Sequence, residues 1–167
     1  MTNRDATPAD LPAIDQVFRQ SFCDTFGHLY APNDLADFLA NFTADAWREE
    51  FDDARYSFRV AEADGKIVGY VKIGPSALPV ETDTQAMELR QLYIVEGYHG
   101  VGIAHALMDW AIGEATSRGA TELYLTVYVD NHRARRFYDR YGFEPVGRYE
   151  FIVGSHADED IIMRKRL

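Results

Sequence analysis

Two segments of the sequence combine residue types at spacings that suit ligand binding. The first is the run Tyr-His-Gly-Val-Gly-Ile-Ala at residues 98–104, between a predicted strand and a predicted helix. Glycine lets a backbone come close to a ligand, and free N–H groups at a helix N-terminus bind anions. The segment therefore predicts a diphosphate site, with a plain strand-to-helix turn as the alternative.

The glycine spacing differs from two common nucleotide-binding signatures. A dinucleotide fingerprint G-x-G-x-x-G/A that starts at Gly100 requires glycine or alanine at position 105, where the chain has His105. A Walker A loop requires a following Gly-Lys-Ser/Thr, which is also missing. The run therefore indicates either a diphosphate site of another kind or a plain strand-to-helix turn.

The second segment begins at Asn131 and is typical of a short helix with an aromatic face. Asparagine is a preferred N-cap residue. Small and aromatic residues then follow at three- and four-residue spacings, so they share one side of the helix. These residues are Ala134, Phe137, Tyr138 and Tyr141. Tyr138 is a candidate site residue, and its alternative role is a core aromatic with a solvated hydroxyl.

The elements that must position these residues follow from hydrophobic periodicity. Helical spacing is found at residues 9–22, from residue 33 to 42, from residue 43 or 45 to 51, at 103–117 and at 131–141. Strand patterns occupy residues 56–63, 66–73, 88–95, 122–129, 148–153 and 160–166. This order predicts a single sheet with helices on its faces, of the α/β or α+β class.

Length, composition and charge limit the classes of function. The 167 residues, 47% of them hydrophobic, predict one domain over residues 1–167. A formal net charge of -10 argues against nucleic acid as the main ligand and is compatible with a cationic substrate. The sequence has no apolar run long enough to cross a membrane, no signal-peptide pattern, and a single cysteine. We therefore expect a cytoplasmic protein without a membrane partner.

Both segments resemble the signatures of the GNAT superfamily of N-acetyltransferases. Residues 92–94 and 98–104 are similar to its acetyl-CoA motif, with His99 where glutamine or arginine is usual and with Gly102 and Ala104 matching. The second GNAT signature is an asparagine, an alanine three residues later, a Phe-Tyr pair and a Gly-Phe pair. All of these elements are present at the family spacing within residues 131–143.

Looser similarity covers most of the chain and looks like the bacterial Pai-type branch, whose described substrates are spermidine and spermine. The similar segments are residues 21–26, 32–35, 69–72, 151–154 and 160–163.

The resemblance implies the GNAT fold, with a mixed, strongly twisted sheet of about six or seven strands and about four or five helices. It implies acetyl-CoA as co-substrate. The histidines at positions 99, 105 and 132 have no His-x-x-x-His or cysteine-rich spacing, so no metal is expected. The coenzyme-binding residues that it implies are Leu92, Tyr93, Ile94, His99, Gly100, Val101, Gly102, Ile103, Ala104, His105 and Asn131.

Acetyl transfer requires a neutral amine, and a primary amine of pKa near 10.4 is only about 0.04% neutral at pH 7. Glu88, four residues before Leu92, is the candidate base, acting directly or through a water relay. The alternative for Glu88 is a solvated carboxylate at a strand end. Tyr138 is the candidate general acid for the departing thiolate.

The expected acceptor is a primary amine of a small molecule, with a polyamine first. The alternatives are a protein or peptide acceptor and a non-catalytic CoA-binding regulator. The N-terminal helices and the loop at residues 78–84 are expected to select the acceptor. The resemblance leaves a homodimer open.

Two charged clusters receive a structural interpretation from the sequence. The run Asp158-Glu159-Asp160 is interpreted as a solvated turn. The arginines at positions 133, 135, 136 and 140 form a basic stripe. We favour salt bridges to acidic neighbours for this stripe over a contact with a phosphate of CoA.

Overall fold

Seven strands form one mixed sheet in the computed structural model, which describes residues 1–82 and 85–167. The strands are β1 (Thr2–Asp5), β2 (Ser57–Ala63), β3 (Lys66–Pro75), β4 (Ala86–Ile94), β5 (Glu122–Tyr128), β6 (Glu144–Val153) and β7 (His156–Arg166). Their order across the sheet is β1-β2-β3-β4-β5-β7-β6.

Five α-helices lie within the same described residues, together with 3-10 turns at Pro8–Asp10 and Gly27–Leu29. The helices are α1 (Leu11–Phe26), α2 (Pro32–Leu39), α3 (Ala44–Asp52), α4 (Ile103–Ser117) and α5 (His132–Arg140). The predicted GNAT arrangement of a mixed sheet flanked by helices is confirmed.

The strands β4 and β5 form the one parallel pair of the described sheet, and they separate early. Their pairing runs from Ala86 opposite Glu122 to Glu88 opposite Tyr124. Both strands continue for several residues beyond this point without pairing to each other. The separation opens a cleft in the middle of the sheet and leaves backbone groups of β4 free for a ligand.

A β-bulge in β4 lies beside this cleft. Lys72 of β3 pairs with Gln91, and the next residue, Ile73, pairs with Leu89, so Arg90 is the extra residue of β4. A bulge bends its strand and increases the local twist. The bulge therefore turns the second half of β4 relative to its first half at the mouth of the cleft.

The two faces of the sheet carry separate cores. On one face, α4 packs on the sheet through Leu107, Met108 and Ala111, together with β-strand residues such as Val71. On the other face, α1–α3 form an aromatic core that includes Phe18, Phe22, Tyr30 and Trp47. Neighbouring residues of β3 face opposite cores, which holds the central strands rigid beneath the cleft.

Most predicted elements are found within a few residues of their expected bounds, and α4 coincides with its prediction. Strand β1 was not predicted, because Thr2–Asp5 has no alternating apolar residues and is an edge strand that pairs through its backbone with β2. Strand β6 begins at Glu144 rather than at residue 148, because its first half is solvent-facing and polar. The predicted acceptor loop at 78–84 extends into residues 83 and 84, outside the described residues.

The β6–β7 hairpin is fixed to the start of α2. Gly154 has a φ of 58°, and a Cβ built on it would lie 2.3 Å from Oδ1 of Asp34. The same carboxylate accepts the backbone N–H of Ser155 at 3.3 Å and its hydroxyl at 3.0 Å. Only glycine permits this close contact without strain.

Replacement of Gly154 by alanine is expected to destabilise the fold by about 1–3 kcal/mol, from the left-handed backbone and the displaced hydrogen bonds. The matched control is Gly113→Ala in α4, where an added Cβ meets nothing within 4 Å. That variant should stabilise the protein by about 0.5–1 kcal/mol. Urea unfolding of both variants measures the difference, and equal stability of the two would contradict the hairpin contact.

Candidate active site

The cleft between β4 and β5 contains a cavity of about 150 Å³. This is roughly five water volumes, which is room for a small ligand. Its wall combines the second half of β4 and the end of β5 with aromatic rings of α1 and β6. Among the lining residues are Phe22, Tyr30, Tyr93, Tyr128, Tyr138 and Asp160.

Tyr138 is the residue of α5 that reaches this cavity. It is 9% exposed, and its ring packs edge-on against Phe143 at 5.9 Å between centroids. Burial raises the pKa of its hydroxyl to about 12, so the phenol is protonated throughout the neutral range. Within residues 1–82 and 85–167 this hydroxyl has no hydrogen-bond partner, which leaves it free to donate to a ligand.

Asn131 begins α5 as its N-cap, as predicted. Its side-chain oxygen accepts the backbone N–H of Ala134 at 3.3 Å. This cap fixes the direction of the helix that carries Tyr138. Asn131 itself does not line the cavities of the cleft or of the glycine-rich turn.

The glycine-rich turn before α4 forms a second cavity, of about 300 Å³. Gly100 and Gly102 have φ values of 78° and 89°, and a Cβ on either would meet nothing within 4 Å. Glycine is therefore needed for the backbone shape, and the space in front of the turn is open. Seven of the predicted coenzyme residues line this cavity: Leu92, Ile94, His99, Gly100, Gly102, Ala104 and His105.

Two histidines of the turn make internal contacts. His99 Nε2 lies 2.8 Å from the backbone oxygen of Ile94, so the side chain ties the turn to the end of β4. His105 Nδ1 lies 3.1 Å from the hydroxyl of Tyr141, and its ring stacks edge-on against Phe137. His99 thus ties the turn to β4 and His105 ties the start of α4 to α5, and both side chains line the cavity.

Three other predicted coenzyme residues point their side chains elsewhere. Ile103 is buried in the core beneath α4. Val101 is 52% exposed and lies near the N-terminal strand. Tyr93 packs edge-on against Phe18, and its ring lines the cleft rather than the turn.

The interpretation of the basic stripe as a set of salt bridges was wrong. In the described part of the chain none of the four arginines has an ion-pair partner, and Arg135 donates instead to the backbone oxygen of Val129 at 2.8 Å. Arg133 and Arg140 lie seven residues apart on α5 and line the turn cavity. Two guanidinium groups thus stand beside the glycine-rich turn without a protein carboxylate.

Glu88 lies in a third cavity, of about 270 Å³, which adjoins the cleft and shares Tyr93 with it. One carboxylate oxygen accepts the backbone N–H of Ala77 at 3.2 Å, and the other lies 3.7 Å from Arg90 Nε. Burial raises the pKa of this carboxyl, against the opposing effect of Arg90. Glu88 is 7% exposed, so it is a buried carboxyl and not a solvated strand end.

The interpretation of residues 158–160 as a solvated turn was also wrong. These residues belong to β7, and Asp158 and Asp160 are 4% and 7% exposed. Alternate residues of a strand share one face, so both carboxylates point into the cleft while Glu159 points to solvent. The predicted strand at residues 160–166 already contained Asp160, and its extension back to His156 also places Asp158 on the face shared by Asp160 and Ile162.

The two buried aspartates differ in their partners. Asp158 accepts a hydrogen bond from the Tyr30 hydroxyl, and His156 Nε2 lies 2.9 Å from its other oxygen. In the described residues Asp160 has no hydrogen-bond or ion-pair partner. Burial, aided by the charge of Asp158, raises the pKa of Asp160 to about 7.

A metal-binding cluster and a membrane-spanning helix are both absent from the described residues. No group of three or more His, Cys, Asp or Glu residues in the described chain is arranged to hold a metal ion. Among the described helices none has both the length and the apolar character needed to cross a membrane.

The raised pKa of Asp160 predicts a pH-dependent stability. The protonated carboxyl is favoured in the fold, so its stabilisation is present at low pH and is lost as the pH rises through about 7. From pH 5 to pH 8 the wild type should lose about 2–3 kcal/mol of its free energy of unfolding through this group, whereas Asp160→Asn should not. The stability of the variant relative to wild type should therefore rise by that amount. Chemical denaturation at both pH values measures this difference.

Glu159→Gln is the matched control, because this side chain lies on the opposite, solvent-facing side of the same strand. It should show no such change with pH. If Asp160→Asn and Glu159→Gln shift equally between pH 5 and 8, the buried state of Asp160 is contradicted.

Comparison with known proteins agrees with this geometry. The family model described as "Acetyltransferase (GNAT) family" matches residues 16–143. An uncharacterized N-acetyltransferase of Mycobacterium bovis is 37% identical over 138 residues, which covers 82% of this chain and 85% of the relative.

Solved structures give the same picture. A ribosomal-protein-alanine N-acetyltransferase of Brucella melitensis is 28% identical, covers 100% of both chains and superimposes with a TM-score of 0.78. The PaiA N-acetyltransferase of Thermoplasma acidophilum, in complex with coenzyme A, has the same fold, with a TM-score of 0.77, 20% identity and coverage of 99% and 98%. Because the family model spans most of its length, this chain belongs to the acetyltransferase (GNAT) family and is an acetyl-coenzyme A-dependent N-acetyltransferase.

Proposed function

We propose that the protein transfers the acetyl group of acetyl-CoA to a primary amine of a small cationic molecule, with a polyamine as the leading acceptor. The observation that carries this proposal is the cavity beside Tyr138, which is small, aromatic and acidic. It contains two buried carboxylates, Asp158 and Asp160, against one guanidinium, Arg90. A cavity with excess negative charge favours an ammonium group over a neutral or anionic acceptor.

The residues present fit the coenzyme. Beyond Glu88, the edge of β4 that faces β5 has no strand partner, and its backbone groups can form strand-like hydrogen bonds with the amide-containing arm of CoA. The turn at Gly100 and Gly102 offers N–H groups at the start of α4 for the diphosphate. Arg133 and Arg140, which lack carboxylate partners, support a further phosphate contact.

Acetyl-CoA supplies an activated acetyl thioester, and the chain's own groups assist the transfer. A free N–H of β4 would donate to the carbonyl oxygen as negative charge develops on it. Tyr138 would donate a hydrogen bond to the sulfur as the C–S bond breaks. Full transfer of its proton to a free thiolate of pKa near 8.5 would be uphill by about 5 kcal/mol. Tyr138 would therefore donate a hydrogen bond to the sulfur and keep its own proton throughout the reaction.

Two buried carboxylates stand close enough to the cleft to receive the proton of the acceptor ammonium. Glu88 is the candidate from the sequence, and Asp160 is the one that the fold adds. A protein or peptide is the alternative acceptor, since the name of the Brucella relative gives an alanine of a ribosomal protein as its substrate. The small volume of the cavity, about 150 Å³, favours a slender aliphatic amine over a peptide segment.

Release of CoA thiol from acetyl-CoA tests the proposal directly. Spermidine and spermine should give rapid release, and a peptide with an N-terminal alanine should give slow release. Tyr138→Phe should lower kcat by about 10²-fold or more. The matched control is Tyr124→Phe, another buried tyrosine, whose hydroxyl bonds Glu122 outside the cleft. That variant should retain the wild-type rate.

Release with the peptide alone would contradict the small-amine acceptor and retain the acetyltransferase. A Tyr138→Phe variant as active as Tyr124→Phe would remove Tyr138 from the mechanism.

Two variants of α5 test the proposed contact between its arginines and a phosphate of CoA. Arg140→Ala should raise the KM for acetyl-CoA about tenfold, because one charge-assisted hydrogen bond is lost, with little change in kcat. Arg136→Ala is the control, since Arg136 is exposed and does not line the turn cavity. Equal KM values for the two variants would place the phosphates away from α5.

A further inference from the structure

Asp160 and Tyr138 line the same cavity in the cleft. Among the described carboxylates that line this cavity, Asp160 is the one without a hydrogen-bond or ion-pair partner. It lies on β7 directly opposite Tyr128 of β5 and Tyr149 of β6. Residues opposite each other in an antiparallel pair share a face, so two tyrosine rings flank the carboxylate. The carboxylate is thus held at the wall of the acceptor cavity by neighbours on both sides.

Glu88 is less suited to take a proton from the acceptor. Its two oxygens are engaged by the N–H of Ala77 and by Arg90. Its cavity also holds Lys72 and Glu50, which form an ion pair at 2.7 Å. Two carboxylates and two cations balance there, whereas the cavity of Asp160 has an excess of negative charge. An incoming ammonium is therefore favoured beside Asp160.

We propose that Asp160 binds the ammonium of the acceptor and accepts its proton, while Glu88 holds Arg90 and the start of the 77–78 segment in place. This inference rests on the proposed acetyl transfer to a small amine. It assigns Asp160 as a catalytic residue and Glu88 as a positioning residue.

Two protons leave the nitrogen in the proposed step. The first passes from the ammonium to a carboxylate oxygen of Asp160 and is later released to solvent. The neutral nitrogen then forms the new bond to the acetyl carbon, and the C–S bond breaks. The second proton leaves the adduct nitrogen and ends on the departing sulfur, so the products are the neutral amide and the CoA thiol, and Tyr138 remains neutral as a hydrogen-bond donor to that sulfur.

Several titratable or charged groups surround Asp160, and its burial is the main cause of its raised pKa. The groups that face it are Asp158, Tyr128, Tyr149, Tyr30, Tyr93, Tyr138 and Arg90, and His156 contacts Asp158 from the same strand. Burial raises the pKa of Tyr30, Tyr93 and Tyr128, so these hydroxyls are neutral near pH 7. A carboxyl with a pKa of about 7 also lies closer to an ammonium of pKa near 10.4 than an ordinary aspartate does, which makes it a better proton acceptor.

The pH dependence of kcat/KM with spermidine distinguishes the two carboxylates. The wild-type value should rise up to about pH 7 and then stay level towards the pKa of the amine. Asp160→Asn has no base, so its kcat/KM should rise about tenfold per pH unit towards pH 10, following the fraction of neutral amine. At pH 7 it should be about 10²–10⁴-fold below wild type, and this deficit should shrink at high pH.

Glu88→Gln should lose less activity than Asp160→Asn, and its kcat/KM should still be level above pH 7. Affinity for acetyl-CoA, measured by titration calorimetry, should be equal in Asp160→Asn and wild type, which shows that the variant is folded. The assignment would be overturned if kcat/KM of Glu88→Gln rose continuously with pH while that of Asp160→Asn became level above pH 7. An Asp160→Asn profile equal to wild type would also overturn it. A wild type that acetylates no amine would instead overturn the proposed function and this assignment together.

Discussion

The separation of β4 from β5 is the constraint on which the rest of the structure depends. Two parallel strands that diverge after Glu88 and Tyr124 leave backbone N–H and C=O groups without partners in the middle of a sheet. Such groups are costly to leave unsatisfied unless water or a ligand binds them. The bulge at Arg90 bends β4 just after the two strands part, and packed cores lie on both faces of the sheet. A co-substrate with a strand-like amide arm is the kind of ligand that completes this sheet.

The charges around the cleft divide into two regions. On the α5 side, Arg133 and Arg140 flank the glycine-rich turn and leave it positive. On the β7 side, Asp158 and Asp160 make the acceptor cavity negative. This division of charge suits the proposed pair of an anionic coenzyme and a cationic amine, one on each side of the cleft. Tyr138 lines the cleft between the two regions, and burial keeps its hydroxyl protonated.

Local sequence rules were sufficient for most elements but not for the acidic wall of the site. The N-cap at Asn131, the helix over Ile103–Ser117 and the glycine-rich turn are set by short-range chemistry, so spacing predicted them. The burial of Asp158 and Asp160 depends on β7 pairing with β5 and β6 and on Tyr30, which is 128 residues away from Asp158 in sequence. Strand β1 escaped prediction because an edge strand of polar residues has no periodic signal. Whether the arginines of α5 form ion pairs or line the turn cavity likewise depends on how α5 packs against the turn.

The most direct test of the account is amide hydrogen exchange with and without acetyl-CoA. Leu92 and Ile94 direct their N–H groups into the gap, because the alternate residues Tyr93 and Val95 bond to β3 on the other side of the strand. If this edge of β4 binds the co-substrate, exchange at Leu92 and Ile94 should slow markedly on addition of acetyl-CoA, while exchange at Tyr93 should change little. The amides of the turn at Gly100 and Gly102 should slow with them, while β2, which lies two strands away from the cleft, should not change. Binding of acetyl-CoA with unchanged exchange in β4 would contradict the claim that the open sheet is the coenzyme site.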